Sequence, residues 1–195
     1  MKNAAESAVV SAGEAGRDPW VGLRRYTAAR IALGRTGGSQ RTGSVLDFRL
    51  SHARARDAVR AAFDLEGVAG RFREAGIATQ RIATAVADKT TYLVRPDLGR
   101  RLDDGVRTQL GALVSEWGQR DLVIIVSDGL AAQAAERHAV EAVAALAGHL
   151  AAAGWTLYPV LLAPFGRVKL QDEVGELLGA RHALMLLGER PGLGT

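Results

Sequence analysis

Residues 166–194 read GRVKLQDEVGELLGARHALMLLGERPGLG, and this stretch decides the fold class. Residues 171–173 place negative charge where a helix N-terminus favours it, and Gly179 is typical of the position just past a helix end. Residues 183–187 form a short, wholly apolar run, which indicates a strand covered on both faces in a parallel sheet. Ligands bind beyond the carboxyl ends of such strands. We therefore expect residues 188–194 to lie at a ligand-binding rim.

The composition indicates a globular protein with enough chain to bury a sizeable core. Of the 195 residues, 48% are hydrophobic and 24% are charged. There is no cysteine, which excludes disulfides, thiolate metal sites and a cysteine nucleophile. No apolar run approaches the roughly 20 residues of a membrane span, and no secretory signal is recognisable. These features predict a cytoplasmic protein without membrane association.

The net charge of +4 comes almost wholly from arginine, because lysine occurs only at Lys2, Lys89 and Lys169. The arginines are concentrated between residues 17 and 60. A nucleic-acid surface is one interpretation, but the segment has few aromatic residues and no recognisable nucleic-acid module. An acidic protein partner or a solvated arginine-rich face is the favoured interpretation, so we expect no nucleic-acid partner.

The N-terminal half predicts helices. Residues 1–17 are rich in Ala, Ser, Gly and Glu and are expected to be a disordered lead-in. The Asp-Pro pair that opens residues 18–34 is a helix-start signal. Residues 46–63 read as a second helix, with Leu46 and Leu50 among its core positions.

Two further segments leave alternatives open, and two more suggest strands. Residues 36–43 are polar and glycine-rich, which indicates either a linker or a phosphate-binding loop. The linker is favoured, because the segment lacks the Gly-Lys-Ser/Thr ending of such a loop. Residues 81–85 and 90–94 suggest short strands. Residues 95–101 hold three arginines around Asp97, which indicates either an ion-pair cluster or an anion site, and spacing favours the ion pairs.

The second half predicts an alternating β-α-β-α-β pattern. Residues 122–126 and 155–163 read as strands, and residues 133–153 read as a helix. The stretch at residues 166–194 adds another helix and another strand. Pro159 lacks a backbone N–H, so it predicts that its strand either lies at a sheet edge or is interrupted early. Right-handed crossovers place the helices on both faces of the sheet. The predicted fold class is α/β: a Rossmann-like, doubly wound, mostly parallel sheet preceded by a helical N-terminal region.

Ser127-Asp128-Gly129, residues 164–168 and residues 188–194 should share the rim of this sheet. Ser127 and Asp128 have two interpretations: a pair capping the next helix, which is favoured, or a polar contact to a bound cofactor. The strand ends carry neither a Gly-x-Ser-x-Gly nucleophile motif nor a Gly-x-Gly-x-x-Gly dinucleotide motif. His52, near Asp57, is either a base or, more in keeping with its isolation, a structural residue.

Five segments in order resemble one known family. The family is the small (light) subunit of ethanolamine ammonia-lyase, and the resemblance extends from about residue 18 to the C-terminus. The segments are LRRYTAARIALGR at 23–35, YLVRPDLGRR at 92–101, VSDGL at 126–130, residues 166–180 and GERPGLG at 188–194.

The resemblance implies an adenosylcobalamin-dependent lyase that converts ethanolamine to acetaldehyde and ammonia by radical chemistry. In that family a large TIM-barrel subunit binds ethanolamine and performs the chemistry, and the small subunit covers the cobalamin from the other side. The implied cobalamin contacts are Val168 and Glu189, with no catalytic residue in this chain and no activity alone. The cofactor keeps its own base as lower ligand, so no protein ligand to cobalt is expected from His52, His138, His149 or His182.

The resemblance also implies a division of roles. Residues 18–110 would dock the large subunit and residues 111–195 would hold the cobalamin. Family members continue past this point through a cysteine-bearing segment, so we expect the cobalamin-binding region to be incomplete at its C-terminus. Two locations stay open, the cytoplasm at large and a bacterial microcompartment. The alternative function is a non-catalytic, Rossmann-like nucleotide-binding or assembly module.

Overall fold

The computed structural model describes residues 18–189, which fall into two compact units divided between Ala53 and Arg54. The expected lead-in at residues 1–17 and residues 190–194 of the expected rim lie outside the described residues. No helix within residues 18–189 has the length and apolar character needed to cross a membrane. The predicted boundary at residue 110 separates a region that docks the partner subunit from a region that binds the cofactor, and it stays a prediction.

The first unit begins with a short 3₁₀ helix rather than the long helix predicted over residues 18–34. Its elements are the 3₁₀ helix Pro19–Arg25, a hairpin of β1 (Arg35–Thr36) and β2 (Ser39–Gln40), and the first part of α1 (Thr42–Arg60). Asp18 caps the 3₁₀ helix by accepting from Trp20 N at 3.0 Å. The helix stops at Arg25 because the Arg24 guanidinium donates to the carbonyls of Ile31 and Ala32, which folds the following chain back.

Two of the apolar positions predicted as the core of the helix at residues 46–63 are exposed. Leu46 is 58% exposed and Leu50 is 50% exposed, while Ser51 is buried in the same helix. These two leucines lie four residues apart, so they form one uncovered apolar stripe on the helix surface. Assigning them to a core was therefore wrong.

The second unit contains a four-stranded sheet. Its elements are α2 (Leu65–Glu74), β3 (Thr79–Arg81), α3 (Lys89–Val94), a 3₁₀ helix (Leu98–Arg100), α4 (Asp104–Trp117), β4 (Leu122–Ser127), α5 (Ala132–Ala152), β5 (Val160–Leu162), α6 (Leu170–Leu178) and β6 (His182–Leu187). The strand order is β3-β5-β4-β6, and every pairing is parallel. The expected parallel sheet is confirmed.

Helices cover both faces of this sheet, as alternate residues of β4 show. Leu122, Ile124 and Val126 pack in a core shared with α2 and α5. Val123 and Ile125 pack in a second core shared with α4 and α6. A strand with neighbours on both edges and helices on both faces has no solvent side, which explains why β4 is buried throughout and wholly apolar before its last residue. The doubly wound α/β architecture is confirmed.

The strand order creates a crevice beside β4. The chain passes from β4 to β5 on one side, then crosses over β4 to place β6 on the other side. The two crossover helices, α5 and α6, consequently lie on opposite faces of the sheet. At such a reversal of strand order the loops diverge, which leaves a natural ligand site beyond the carboxyl ends of the strands.

The described part of the stretch quoted first, residues 166–189, forms the predicted helix and strand. The helix α6 carries Asp172 and Glu173 in its first turn and ends at Gly179, whose φ of +64° is left-handed. Glycine adopts this conformation without the steric cost that a Cβ brings. The strand β6 follows at once and pairs with β4 along its whole length.

The predicted strand at residues 90–94 is wrong, because this segment is the helix α3. Asp88 caps it, accepting from Thr91 N at 2.9 Å and from the Thr91 hydroxyl at 3.0 Å. The Tyr92 amide then donates to the Asp88 carbonyl at 2.9 Å. The cap satisfies donors that an isolated strand here would leave without a ladder partner.

Two other strand predictions are corrected in position. The strand predicted at residues 81–85 lies at Thr79–Arg81 as β3. For the strand predicted at residues 155–163, Pro159 left a sheet edge or an early break as alternatives. The sheet edge is wrong, because β5 lies between β3 and β4, whereas the break agrees with a strand reduced to Val160–Leu162. Pro159 is compatible with this because the strand begins at the next residue, so the missing N–H falls outside the ladder.

Asp121, at the amino end of β4, gives a prediction on pH. Hydrogen bonds from the Thr156 amide and hydroxyl, followed by one from Arg181, lower the Asp121 pKa from 3.8 to about 2. A lowered folded-state pKa contributes stability that is present above the unfolded value and lost as pH falls through the folded value. We expect the stability advantage of the wild type over Asp121→Asn to be constant above about pH 5 and to disappear between about pH 4 and 2. Urea unfolding of both proteins across this range measures it; an advantage that persists at pH 2 would contradict it.

Candidate functional site

The loops that follow β4 and β5 are joined by side-chain hydrogen bonds at the carboxyl edge of the sheet. Ser127 Oγ accepts from Gly166 N at 2.8 Å, and Asp128 Oδ1 accepts from Phe165 N at 2.7 Å. The favoured interpretation of Ser127 and Asp128 as a helix-capping pair is wrong, because α5 has Ala131 at its N-cap and no side-chain cap. Both side chains are instead used to hold the neighbouring loop.

Asp128 is a buried charge whose partner, Lys89, is partly exposed. Its side chain is 1% exposed, and Lys89 Nζ lies 3.1 Å from its Oδ2. The same ammonium donates to the Gly129 carbonyl at 3.0 Å and lies 4.9 Å from the centre of the Tyr92 ring. A carboxylate this deep needs such neutralisation, since an unpaired buried charge is strongly unfavourable.

The loop after β5 has a strained turn that these bonds support. Phe165 has a φ of +60°, a left-handed conformation that costs a non-glycine residue about 1–3 kcal/mol. Its amide is the group bound by Asp128. At the next residue, Gly166, a Cβ would lie 2.9 Å from Ser127 Oγ, so only glycine fits. Two residues further on, Val168 is 57% exposed at the rim.

The end of β6 packs directly on the loop after β4. The Gly188 carbonyl accepts from Leu130 N at 2.8 Å, and a Cβ on Gly129 would lie 2.3 Å from the same oxygen. Gly188 therefore covers the turn that leads into α5, where a nucleotide phosphate would have to bind. This contact disfavours the alternative of a nucleotide-binding module, and it places Glu189 at the rim.

Val168 and Glu189 line one cleft of about 440 Å³. The remaining lining comes from one face of α5 and from the end of β6: Ala134, Ala135, His138, Ala139, Ala142, Met185, Leu186 and Leu187. The wall is mostly apolar, with His138 and Glu189 as its ionisable groups. Sequence reasoning left His138 unassigned, although Ala134, His138 and Ala142 are spaced four residues apart and so share a helix face.

Tyr92 lies beneath this rim and connects α3 to it. The Arg167 guanidinium carbon lies 4.2 Å from the Tyr92 ring centre, and Arg167 Nη2 donates to the Tyr92 carbonyl at 2.7 Å. Burial raises the pKa of the Tyr92 hydroxyl; Arg167 opposes this, and the carboxylates of Asp128 and Glu189 add to it. Tyr92 is thus in contact with Arg167 of the loop after β5 and lies close to Lys89, which pairs with Asp128 of the loop after β4.

Two other groups singled out in the sequence have local partners of their own. Asp97 pairs with Arg95 through two bonds of 2.9 and 2.7 Å on the surface and does not cap the following 3₁₀ helix. This supports the ion-pair interpretation of the segment. His52 stacks on Phe48 with ring centres 6.2 Å apart, as a structural residue would.

The fold and the cleft define a class of protein. A doubly wound sheet with an apolar cleft and a few ionisable groups at its carboxyl edge is typical of proteins that hold a ligand or cofactor there. Within that class, the chain belongs to the ethanolamine ammonia-lyase light chain (EutC) family, whose model matches residues 17–195.

Curated relatives agree with this family. The ethanolamine ammonia-lyase small subunit of Pseudomonas syringae pv. tomato is 49% identical over 179 residues, which cover 91% of this chain and 62% of the relative. The small subunit of Pseudomonas putida is 49% identical, and that of Azotobacter vinelandii is 48% identical, each with 91% of this chain and 66% of the relative covered. The chain spans about two thirds or less of the length of these relatives.

Proposed function

We propose that this chain is the small subunit of an adenosylcobalamin-dependent ethanolamine ammonia-lyase and covers the cobalamin from the side opposite a large subunit. The main observation in support is that Val168 and Glu189, which come from loops after different strands, line the same cleft. These are the two positions that the family resemblance assigns to cobalamin. Their convergence at the carboxyl edge of the sheet supports a shared ligand.

The lining suits one side of a corrin ring. Val168 and the alanine face of α5 offer a low apolar wall, and burying them against a ring is favourable. The Glu189 carboxylate can accept hydrogen bonds from the peripheral amides of the ring, and bonds to a charged acceptor are strong. Because cobalamin is far larger than a 440 Å³ cleft, the chain would cover only part of it. A second protein surface is then required for the rest.

Under this proposal the residues of this chain bind and orient, and they take no part in bond making. Adenosylcobalamin, when bound, supplies the radical chemistry that converts ethanolamine to acetaldehyde and ammonia. Ethanolamine would bind to the large subunit, so the small subunit would be inactive alone. The apolar wall would exclude water from its side of the cofactor.

The first unit offers a surface suited to a partner subunit. Trp20 and Tyr26 are exposed, as are Leu46 and Leu50 of α1. Arginines are abundant in the same segment of the chain. Exposed aromatic side chains together with arginine are typical of protein–protein interfaces, which supports docking of the large subunit within residues 18–110.

Replacing Glu189 by alanine tests the proposal. In a complex reconstituted with the large subunit, we expect the dissociation constant for adenosylcobalamin to rise about tenfold, because amide donors of the ring lose a charged acceptor. Glu189→Gln should have a smaller effect, since its amide oxygen still accepts. Absorbance titration of the bound cobalamin measures both.

Glu176→Ala is the matched control. Glu176 is an exposed glutamate of α6 that does not line the cleft, so its removal should leave cobalamin affinity unchanged. Wild-type complex that fails to bind cobalamin would overturn the proposed function. Equal affinity of wild type and Glu189→Ala would overturn the role of Glu189 alone.

A further inference from the structure

We infer that Asp128 is a positioning residue: its carboxylate, neutralised by Lys89, fixes the strained turn at Phe165 and thereby sets where Val168 meets the cofactor. This inference rests on the proposed function. It assigns a role to a buried carboxylate and a partly exposed ammonium group that the family resemblance leaves without one. Asp128 acts through the backbone of the loop and does not touch the ligand.

The contacts of Asp128 are all internal. Oδ1 accepts from Phe165 N at 2.7 Å, with the Ser127 hydroxyl 3.3 Å away, and Oδ2 accepts from Lys89 Nζ at 3.1 Å. With a side chain 1% exposed, the carboxylate has no face turned to solvent. A buried group bonded through its two oxygens to two other segments holds those segments and its own in a fixed relation.

Lys89 connects this carboxylate to α3. Its side chain is 19% exposed, and its ammonium donates to both Asp128 Oδ2 and the Gly129 carbonyl. Tyr92 lies one turn further along α3. The Arg167 guanidinium lies over its ring and donates a hydrogen bond to its carbonyl. The helix α3 therefore binds both the loop that contains Asp128 and the loop that precedes Val168.

Val168 is fixed from both directions along the chain. On its N-terminal side, Phe165 has a left-handed φ of +60° that is supported by Asp128, and Arg167 N donates to the Gly99 carbonyl at 2.7 Å. On its C-terminal side, Leu170 is fully buried where α6 begins. Val168 therefore has little conformational freedom while the Phe165 turn keeps its left-handed conformation. If that turn relaxes, the restraint on the N-terminal side of Val168 is weakened.

The chain supplies a matched control at the opposite end of the same strand. Asp121 precedes β4 and accepts from Thr156 N at 2.8 Å, just before β5, as Asp128 follows β4 and accepts from Phe165 N just after β5. The two carboxylates are separated by a six-residue strand, about 20 Å at roughly 3.3 Å per residue. Both hold a loop beside β5, but only Asp128 lies at the rim.

The test compares Asp128→Ala, Asp128→Asn and Asp121→Ala in the complex with the large subunit. We expect Asp128→Ala to speed amide hydrogen exchange at residues 165–168 and to raise the adenosylcobalamin dissociation constant, each on the order of tenfold. Asp128→Asn keeps an oxygen for Phe165 N and should fall between. Asp121→Ala should lower thermal stability while both rim measurements stay at the wild-type value.

Each outcome of this comparison supports or overturns the inference. Unchanged exchange at residues 165–168 in Asp128→Ala overturns the inference, as does faster exchange with unchanged cobalamin affinity. Equal weakening of cobalamin binding by Asp121→Ala and Asp128→Ala also overturns it, because the effect would then come from global stability. If Asp128→Ala does not fold, Asp128→Asn takes its place in the same comparison. Wild-type complex without cobalamin affinity overturns the proposed function itself, and with it the cofactor part of this inference.

Discussion

Gly188→Ala is expected to lower the free energy of unfolding by about 3 kcal/mol or more, which is at the upper end of overpacking effects. A Cβ at Gly188 would lie 1.9 Å from the Ala131 carbonyl oxygen and 2.7 Å from the Asp128 carbonyl oxygen. Both obstacles are backbone atoms, so no side-chain rotation removes the clash. The end of β6 would have to separate from the loop after β4, and Glu189 would move with it.

The measurement is urea unfolding of the variant against the wild type, with Gly148→Ala as the control. Gly148 lies inside α5, and a Cβ there meets nothing within 4 Å. Alanine is the better helix former, so this variant should gain up to about 1 kcal/mol. The same substitution thus has opposite signs at the two positions. A Gly188→Ala protein as stable as the wild type would show that the loops at the rim are not in close contact.

The regular part of the fold could be predicted because its signals are local. An apolar run of six or fewer residues at β4 and at β6 indicates a covered strand, and Gly179 marks the end of α6 through a conformation that glycine prefers. The intervening helix α5 was placed within a residue or so of its ends. Parallel strands joined by helices then leave few arrangements open.

The helix α3 has one local signal, the Asp88 cap, but the groups that surround its buried residue are distant in sequence. Residues 90–94 read TTYLV, a strand-like composition, yet intrinsic propensity is a weak guide in a short segment. Tyr92 is buried in the helix because Arg167 and Phe165, more than seventy positions away, provide its surroundings. Only tertiary structure brings these groups together.

The candidate site likewise has a part that could be predicted from the sequence and a part that could not. The rim follows from where strands end, so the meeting of Ser127 and Asp128 with the loop after β5 follows from topology. The pairing of Lys89 with Asp128 spans 39 residues and joins a helix that the sequence did not predict. The interpretation of Asp128 as a helix cap failed for this reason: its real partners lie on two other segments.

Lys89→Met should be among the most destabilising substitutions of a partly exposed residue in this chain. It removes the cation but leaves Asp128 buried, and breaking a buried ion pair from one side costs about 3–5 kcal/mol. Because the Lys89 side chain is 19% exposed, water can reach part of the pair, so we expect a loss near 3 kcal/mol. Chemical denaturation at pH 7 measures it.

The double variant Lys89→Met/Asp128→Asn separates charge from packing. It removes both charges while keeping an oxygen for Phe165 N, so its stability should return to within about 1 kcal/mol of the wild type. The two substitutions would then be far from additive, as expected for groups in direct contact. If the double variant instead shows the sum of the two single losses, Lys89 and Asp128 do not act as a pair, and the carboxylate holds the Phe165 turn without help from α3.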